Sequence, residues 1–316
     1  MNTQIFKEFP KQNILVMGDL ILDHYVFGKV SRISPEAPIP IFDFEREEYR
    51  LGGASNVAGN LVSLGVKTSL MGCVGNDDCA DIILQELVRH NIQTDSIFKD
   101  KERPTTIKTR YIAQGQHLLR ADKEEKKDSQ QLEKFYTYLT NNIQQYNSLI
   151  ISDYAKGFLV PKLCEFAIQL AQQNNIKVFV GPKGTNWDKY KHAFLLSANR
   201  SETEIIAGEK LSTKDNIIQA GNDIIQKLDL QAMLITLGAA GMMLCIRKKE
   251  SIYLPTQARE VYDVVGAGDT VLAMVGLCQT TQNSWKLSLN IANKAAGIVV
   301  GKVGTSLVTL EELQRA

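Results

Sequence analysis

The chain has 316 residues, of which 44% are hydrophobic and 22% are charged, and its formal net charge is +1. These values are ordinary for a globular protein with a large buried core. A charge this close to neutral argues against recognition of nucleic acid or of a membrane surface by bulk electrostatics. No apolar run approaches the roughly 20 residues needed to span a bilayer.

The N-terminal residues and the cysteines indicate a cytoplasmic protein. Residues 1–12 are polar and mixed in charge, without an apolar signal segment. The five cysteines are scattered and contain no C-x-x-C pair, which is typical of small core residues in a reducing compartment.

Short apolar runs alternate with longer amphipathic segments, a pattern that predicts an α/β fold with a doubly wound, mostly parallel sheet. Strands are predicted over residues 14–18, 67–74, 148–152, 177–180, 194–196, 232–237 and 242–246. Helices are predicted over residues 54–64, 78–90, 130–144, 161–173, 214–228, 269–281 and 284–300. The chain has no internal repeat and no long linker, so residues 1–316 are interpreted as one domain.

Two regions interrupt this alternation, at about residues 20–50 and 105–121. Polar and apolar residues alternate there with a period of two, and no helix intervenes. The pattern predicts strands of a small separate sheet. Such a sheet can cover a site as a lid, or pair with a second copy of the chain through its edges.

The segment DVVGAGDT, residues 263–270, places a carboxylate in a glycine-hinged loop before an apolar helix. Gly266, Ala267 and Gly268 can direct successive N–H groups at one point, which forms an anion hole at the positive end of the helix dipole. Asp269 beside it is suited to take a proton from a hydroxyl that attacks a phosphoryl group. The alternative is a turn in which Asp269 only caps the helix.

Two further segments suggest contacts with a polyol. In LGGASNVA, residues 51–58, Gly52 and Gly53 leave room for a ring, and Asn56 offers a donor and an acceptor to adjacent hydroxyls. The alternative is a helix start capped by Ser55. Asp19 and Asp23 follow the first strand, where doubly wound sheets bind ligands; both can accept hydrogen bonds from hydroxyl groups.

Two segments suggest a nucleotide and its metal ion. Asn199 and Glu202 stand three apart after a predicted strand, a spacing that can direct both at hydrated magnesium; the alternative is a helix cap. In TLGAAG, residues 236–241, Thr236, Gly238 and Gly241 can border the phosphates or ribose of a nucleotide, or form a simple turn.

Together these motifs resemble the ribokinase-like carbohydrate kinases, the PfkB family, over essentially the whole chain. The glycine pair and the segment 263–269 occur in the order that this family uses. The resemblance implies ATP and Mg²⁺ as cofactors and a sugar as substrate. It implies the following roles: Asp269 as base, Gly266 to Asp269 as anion hole, Asp19, Gly53 and Asn56 at the sugar, Val265 and Asn293 at the adenine, and Asn199 and Glu202 at the metal, through water.

Longer segments resemble one subgroup, the D-glycero-β-D-manno-heptose 7-phosphate kinases. These segments are GKVSRISPEAP (28–38), TTIK (105–108), LRAD (119–122), SDYAKG (152–157), PKG (182–184) and GIVVGK (297–302). The resemblance implies phosphorylation of the C1 hydroxyl to the 1,7-bisphosphate, in ADP-heptose synthesis for the lipopolysaccharide inner core. It also implies Asp153 and Lys156 as substrate ligands, Lys183 as a nucleotide ligand, and a homodimer formed through the lid strands.

Cationic side chains are numerous in and beside the predicted lid, where a neutral hexose would not require them. They are Arg32, Lys108, Arg110, Arg120 and Lys156. Because a guanidinium binds phosphate in a bidentate way, Arg32 and Arg120 are favoured as ligands of the 7-phosphate. The alternative is that these are solvated charges of the lid.

One position departs from the subgroup, which usually has Asp-Pro-Lys-Gly where this chain has GPKG at residues 181–184. The carboxylate missing at Gly181 would orient Lys183 or a metal-bound water. Three functions therefore remain: the heptose 7-phosphate kinase, a related sugar or nucleoside kinase, and a sugar-phosphate-binding protein with weak turnover. A Rossmann dehydrogenase is excluded, because no G-x-G-x-x-G follows the first strand.

Overall fold

The computed structural model describes residues 4–258 and 261–315, so the predicted domain limits, residues 1 and 316, lie outside the described residues. The strands are β1 (Asn13–Gly18), β2 (Leu20–Ile33), β3 (Pro40–Gly53), β4 (Lys67–Val74), β5 (Ile97–Lys99), β6 (Thr106–Ala113), β7 (Gln116–Lys123), β8 (Ser148–Ser152), β9 (Lys177–Gly181), β10 (Leu195–Asn199), β11 (Ala232–Thr236), β12 (Met242–Ile246) and β13 (Lys249–Leu254). The α-helices are α1 (Ala54–Val62), α2 (Asp78–Arg89), α3 (Leu132–Asn142), α4 (Pro161–Gln173), α5 (Arg200–Ala207), α6 (Lys214–Leu228), α7 (Ala267–Thr280), α8 (Trp285–Val300) and α9 (Leu310–Arg315).

The main sheet has the order β13-β12-β11-β10-β9-β8-β1-β4-β5 within the described residues. The seven strands β11, β10, β9, β8, β1, β4 and β5 pair in parallel with their neighbours in this order, whereas β12 and β13 form an antiparallel edge. The sheet runs outward in both directions from β1 and β8, which confirms the predicted doubly wound fold. Ligands in such sheets bind beyond the carboxyl ends of the parallel strands.

Both faces of the main sheet are covered by helices, which explains why its strands are continuous apolar runs. Along β1, Ile14 and Val16 enter a core shared with α1, α2, α7 and α8. Leu15 and Met17 enter a second core shared with α3, α4 and α6. Side chains of a strand point alternately to opposite faces, so one short strand anchors both layers of helices.

Helix α7 lies against the sheet between α1 and α8, and all its residues from 269 to 279 are buried. Gly276 permits this close approach, because a Cβ at that position would lie 3.0 Å from Ile150 Cδ1. The helix that begins with the DVVGAGDT segment is therefore held on all sides by packing.

The second sheet confirms the predicted lid and has the order β3-β2-β6-β7. Strand β2 pairs with β3 antiparallel and with β6 parallel, and β7 pairs with β6 antiparallel. Only Asp19 separates the end of β1 from the start of β2, so the lid is a direct continuation of the main sheet. Its two edge strands are β3 and β7.

Several predicted boundaries were wrong. The strand predicted at 194–196 continues to Asn199, which also caps α5. Helix α7 begins at Ala267 rather than Asp269, because Gly266 has φ of 81° and is the N-cap. Four elements were missed, namely β5, β13, α5 and α9, because they are short or too polar for a clear apolar period.

Within residues 4–258 and 261–315, no helix combines the length and the apolar content required to cross a lipid bilayer. All five cysteines are free, and four of them are buried, as expected for core residues.

Candidate active site

Strands β1, β8, β9, β10 and β11 end along one edge of the main sheet, and α7 begins beside them. A central cavity of about 220 Å³ lies at this edge. Among the predicted site residues, those lining it are Asp153, Lys183, Asn199, Glu202, Thr236, Gly266, Gly268 and Asp269. The structure therefore brings together residues from five separate segments of the chain.

A side cavity of about 240 Å³ adjoins the central cavity and shares Thr236 and Gly268 with it. The other predicted residues in its lining are Gly238, Gly241, Ala267 and Asn293. Much of its wall is apolar, formed by Val261, Val264, Val271, Ala296 and Val300. Val265 lies outside both linings; its N–H donates to Asp263 Oδ1 at 3.0 Å and shapes the loop before α7. An apolar slot joined to a polar cavity suits a ligand with a flat ring at one end and charge at the other.

The N-terminus of α7 lies at the central cavity, where the sequence predicts an anion hole. As in any helix, the N–H groups of the first turn have no partner inside the helix, and they lie at the positive end of its dipole. No side chain caps this end, so the alternative in which Asp269 is the cap is wrong. Asp269 instead occupies the first turn and lines the central cavity.

Two neutral donors hold the Asp269 carboxylate. Asn56 Nδ2 donates to Oδ2 at 3.0 Å, and the Tyr154 hydroxyl donates to Oδ1 at 2.8 Å. Asn60 Nδ2 donates to Asn56 Oδ1 at 3.3 Å, which turns the Asn56 donor toward Asp269. Asn56 is fully buried, and no side chain caps α1, so the alternative cap by Ser55 is wrong.

Burial raises the pKa of Asp269 to about 6, against the opposing effect of the donors Asn56 and Tyr154. Asp23 adds to the rise and Lys108 opposes it. A carboxylate with this pKa is ionised at neutral pH and is a stronger base than an exposed aspartate. It therefore meets the requirement for a general base working near pH 7.

Asp19 is buried and organises the loop after β8. Its Oδ2 accepts the N–H of Tyr154 at 2.9 Å and of Lys156 at 3.1 Å, and its Oδ1 accepts the N–H of Phe158 at 3.3 Å. Burial, followed by the nearby charge of Asp153, raises the pKa of this carboxyl. In the structure Asp19 thus binds backbone, and its predicted contact with a sugar remains a prediction.

Asp153 plays a similar part in the same loop. Its side chain accepts hydrogen bonds from Lys189 Nζ and the Tyr190 hydroxyl, both at 2.6 Å, and from the N–H of Ala155 at 2.6 Å. Lys189 and Tyr190 were not identified from the sequence. Two aspartates from neighbouring strands therefore fix the loop that carries Tyr154.

The glycine pair packs closely against β2 and the residue that precedes it, Asp19. A Cβ at Gly52 would lie 2.5 Å from Asp23 Oδ2, and one at Gly53, whose φ is 58°, would lie 2.5 Å from the Asp19 carbonyl oxygen. The space on the Cβ side of both glycines is thus filled by protein.

Among the lid cations, Arg110 is neutralised inside the protein. It forms an ion pair with Asp23 at 2.5 Å, and both side chains are almost fully buried. A buried ion pair is stable only when both partners are present, because removal of one leaves an unpaired charge inside the protein.

Two other cations are also paired. Lys156 Nζ lies 2.5 Å from Glu124 Oε2, and Arg120 Nε lies 2.9 Å from Asp122 Oδ1. Arg120 is more than half exposed and stands opposite Arg110 in the sheet, so it faces the same side of the lid.

Lys108 differs from these residues, because it forms no ion pair within the described parts of the chain. It lies opposite Asp23 and Asp122 in the sheet register, and its Nζ is 5.9 Å from the centre of the Tyr154 ring. Burial, followed by repulsion from Lys156, lowers its pKa. This lysine is a cation close to Asp269 with capacity to bind an anion.

Arg32 is separated from this group. It is exposed near the far end of β2, nine residues beyond Asp23. At 3.3 Å per residue this is about 30 Å along the strand. The structure does not bring Arg32 together with the other site residues of the same chain.

Asn199 and Glu202 cap helix α5, the arrangement that the sequence analysis gave as the alternative to a magnesium site. Both residues also line the central cavity. Asn199 Oδ1 accepts the N–H of Glu202 at 2.9 Å, while Glu202 Oε2 accepts the N–H of Asn199 at 3.0 Å. Glu202 Oε1 also accepts Lys183 Nζ at 2.6 Å. Within the described residues, no group of three or more His, Cys, Asp or Glu side chains is arranged to hold a metal ion.

Tyr154 is the main site residue that the sequence did not identify. It occurs inside the SDYAKG segment, but nothing in the spacing shows that its hydroxyl reaches Asp269, which is 115 residues away. Tyr154 follows the carboxyl end of β8, which pairs with β1, the strand that ends before Asp19. This position was the signal that could have identified it as a site residue.

Comparison with solved structures agrees with this architecture. The Arabidopsis thaliana ribokinase, in complex with ribose and ATP, superposes with a TM-score of 0.75 at 19% identity, over 96% of this chain and 98% of that one. Phosphofructokinase-2 from Escherichia coli, in complex with substrates and products, gives a TM-score of 0.79 at 17% identity, over 96% and 97%. These similarities establish a ribokinase-like fold.

Sequence comparison identifies the family. The family described as "pfkB family carbohydrate kinase" matches residues 11–312. The chain therefore belongs to the pfkB family of carbohydrate kinases, enzymes that transfer a phosphoryl group to an alcohol, which confirms the predicted family and enzyme class.

Curated relatives carry the name "Bifunctional protein HldE". The protein of Geobacter metallireducens is 42% identical over 95% of this chain, and that of Cronobacter sakazakii is 42% identical over 98%. This chain spans 62% and 64% of their respective lengths, so it corresponds to somewhat less than two thirds of each relative.

The two glycines of the anion hole should respond differently to substitution. Gly266→Ala should lower the free energy of unfolding by at least about 1–2 kcal/mol, because alanine is disfavoured in left-handed backbone. Its Cβ would also lie 2.7 Å from Asn56 Nδ2. Gly268→Ala is the matched control, because nothing lies within 4 Å of its Cβ. Urea denaturation of both variants tests this; equal losses of stability would contradict the geometry.

Proposed function

We propose that the protein is an ATP-dependent kinase that phosphorylates the C1 hydroxyl of D-glycero-β-D-manno-heptose 7-phosphate, giving the 1,7-bisphosphate for ADP-heptose synthesis. The observation that carries the proposal is the placement of Asp269, a buried carboxylate with a raised pKa, between the start of α7 and the lid cation Lys108, which has no ion-pair partner among residues 4–258 and 261–315. The pfkB family match and the HldE relatives agree with it.

The geometry supports direct transfer of the phosphoryl group. Asp269 takes the proton of the C1 hydroxyl as its oxygen attacks the γ-phosphorus of ATP. The bond from that phosphorus to the bridging oxygen breaks, and the electron pair leaves with ADP. The N–H groups at the start of α7 stabilise the charge on the transferring oxygens. One heptose bisphosphate, one ADP and one proton result.

The two connected cavities suit ATP. We place the adenine in the apolar side cavity and the phosphates near Thr236 and Gly268, which both cavities share. Asn199 and Glu202 would hold magnesium through water, and the ion would neutralise phosphate charge. Mg²⁺ commonly keeps several waters and uses one or two carboxylates together with substrate phosphates, which fits a contact with Glu202 through water.

We assign the substrate 7-phosphate first to Lys108 and second to Arg120. Arg110 and Lys156 are paired with carboxylates and largely buried, and Arg32 lies far along β2. Arg120 is also paired, with Asp122, but its side chain is more than half exposed. This order replaces the preference for Arg32 and Arg120 that guanidinium chemistry alone suggested.

Gly181 keeps a second function open, a sugar-phosphate-binding protein with weak turnover. It lines the central cavity where the subgroup usually has aspartate. Lys183, two residues later, is held by Glu202 instead. Because the base and the anion hole are intact, we favour the active kinase.

The first experiment is an assay of ADP release with magnesium and ATP, which compares the heptose 7-phosphate with ribose, fructose and adenosine. We expect turnover with the heptose phosphate alone. Asp269→Asn should lower kcat by about 10²- to 10⁴-fold while ATP binding is kept, because the shape remains and the base is lost. Asp81→Asn, on the exposed surface of α2, is the matched control.

Each other outcome has a distinct meaning. Turnover with a neutral sugar would keep the family and reject the substrate. Binding of the heptose phosphate without turnover would favour the binding function of the second proposal. Full activity of Asp269→Asn would reject Asp269 as the base.

Removal of the Lys108 charge should weaken recognition of the substrate phosphate. We expect Lys108→Ala to raise the KM for the heptose phosphate by about tenfold or more, as for loss of a hydrogen bond to a charged group, with little change in the KM for ATP. Lys123→Ala is the control, because Lys123 is 62% exposed on the neighbouring strand. An unchanged KM in Lys108→Ala would reject this assignment.

We further propose that the protein is a cytoplasmic homodimer formed through the lid strands. The lid has two open edge strands and exposes large apolar side chains, namely Ile33, Ile39, Phe44 and Leu119, each at least 56% exposed. Exposed apolar patches of this kind often mark interfaces.

Sedimentation velocity tests the dimer. We expect a dimer for the unmodified protein and a shift toward monomer for Phe44→Glu, which places a charge in the apolar patch. Val88→Glu is the matched control, since Val88 is similarly exposed but lies on α2. A monomeric unmodified protein at assay concentration would reject the proposal.

A further inference from the structure

We infer that Tyr154 is a positioning residue that holds the Asp269 carboxylate in its reactive orientation and in its ionised form. The inference rests on the proposed role of Asp269 as the base. The Tyr154 hydroxyl lies 2.8 Å from Asp269 Oδ1. Burial, and then the charge of Asp269, raise the pKa of Tyr154 well above its ordinary value. The phenol therefore stays protonated and donates the hydrogen bond.

The backbone around Tyr154 is built to place this hydroxyl. The Tyr154 N–H is held by Asp19 Oδ2 at 2.9 Å, and the next N–H, of Ala155, is held by Asp153 Oδ1 at 2.6 Å. Ala155 has φ of 54°, a left-handed conformation that alanine rarely adopts. Strained backbone persists where surrounding contacts over-determine it, and such positions cluster at functional sites.

The two donors on Asp269 act on different oxygens, and this fixes the plane of the carboxylate. Asn56 holds Oδ2 and Tyr154 holds Oδ1. Each carboxylate oxygen has two lone-pair positions, so one on each oxygen remains for the substrate hydroxyl. A fixed plane keeps that lone pair directed into the cavity, which favours proton transfer.

Tyr154 also offsets part of the effect of burial. A donor to the charged form of a carboxylate lowers its pKa, whereas burial raises it. The charged groups that face this pair are Asp23 on β2, Lys108 on β6 and Glu202 on α5. None of them is altered by loss of the Tyr154 hydroxyl, so their effects cancel when the unmodified protein is compared with Tyr154→Phe.

The test is a titration of the carboxyl carbons of ¹³C-labelled aspartate by NMR in the ligand-free full chain. Asp269→Asn identifies the Asp269 signal. In Tyr154→Phe we expect the pKa of Asp269 to rise by about one unit, which corresponds to loss of one hydrogen bond to a charged acceptor. Tyr146→Phe is the matched control, because its hydroxyl lies 2.8 Å from that of Tyr138 in the second core.

The activity of Tyr154→Phe provides a second measure. The acidic limb of the pH profile of kcat/KM should move to higher pH by the same amount. Relative to the unmodified protein, kcat/KM should therefore fall by about threefold more at pH 6.5 than above pH 8. A purely structural loss would lower activity equally at all pH values.

An unchanged Asp269 titration in Tyr154→Phe would overturn the inference. If this variant does not fold, 3-fluorotyrosine at position 154, whose phenol is a stronger donor, should lower the pKa of Asp269; no change would again overturn it. Because the titration needs no substrate, a shifted Asp269 pKa together with turnover of a neutral sugar would leave the inference intact and reject only the proposed substrate.

Discussion

The arrangement of the candidate site depends on one buried carboxylate, that of Asp19. Asp19 follows the first central strand and binds three N–H groups of the loop after β8. A buried carboxylate without such partners would cost several kcal/mol, so the loop and the aspartate stabilise each other. This contact ties two neighbouring strands together at their carboxyl ends. The position of Tyr154, and through it the orientation of Asp269, follows from it.

The pKa of Asp269, the proposed base, is set by opposing effects rather than by one strong interaction. Burial favours the protonated form of Asp269, whereas Asn56, Tyr154 and Lys108 favour the ionised form. The resulting pKa of Asp269, about 6, lies close to neutral pH, where a base is both ionised and reactive. Since residues 269–279 of α7 are buried, the protein can hold this carboxylate in place with neutral donors. A direct ion pair, which would weaken its basicity, is absent among the described residues.

The fold and much of the site could be predicted from the sequence, because they depend on local patterns. The strands at 67–74 and 148–152 and the helices at 161–173 and 214–228 match the structure at both ends. The anion-hole segment was predicted from its two glycines. Tyr154 was not, because a hydrogen bond between residues 154 and 269 depends on how two loops pack. The pairing of Arg110 with Asp23 likewise depends on strand register, which composition does not reveal.

Gly181 has a consequence for how this enzyme can evolve. A Cβ added there would lie 3.0 Å from the flexible end of Leu272 and at ordinary contact distance, 3.9 Å, from the Ile151 carbonyl oxygen. The position lines the central cavity. The position can therefore gain or lose a carboxylate without repacking the core. The proposed contacts with the sugar phosphate lie on the lid, on a separate sheet. Under this proposal, selection can change the nucleotide side of the pocket in a single substitution while the specificity for the acceptor is inherited unchanged.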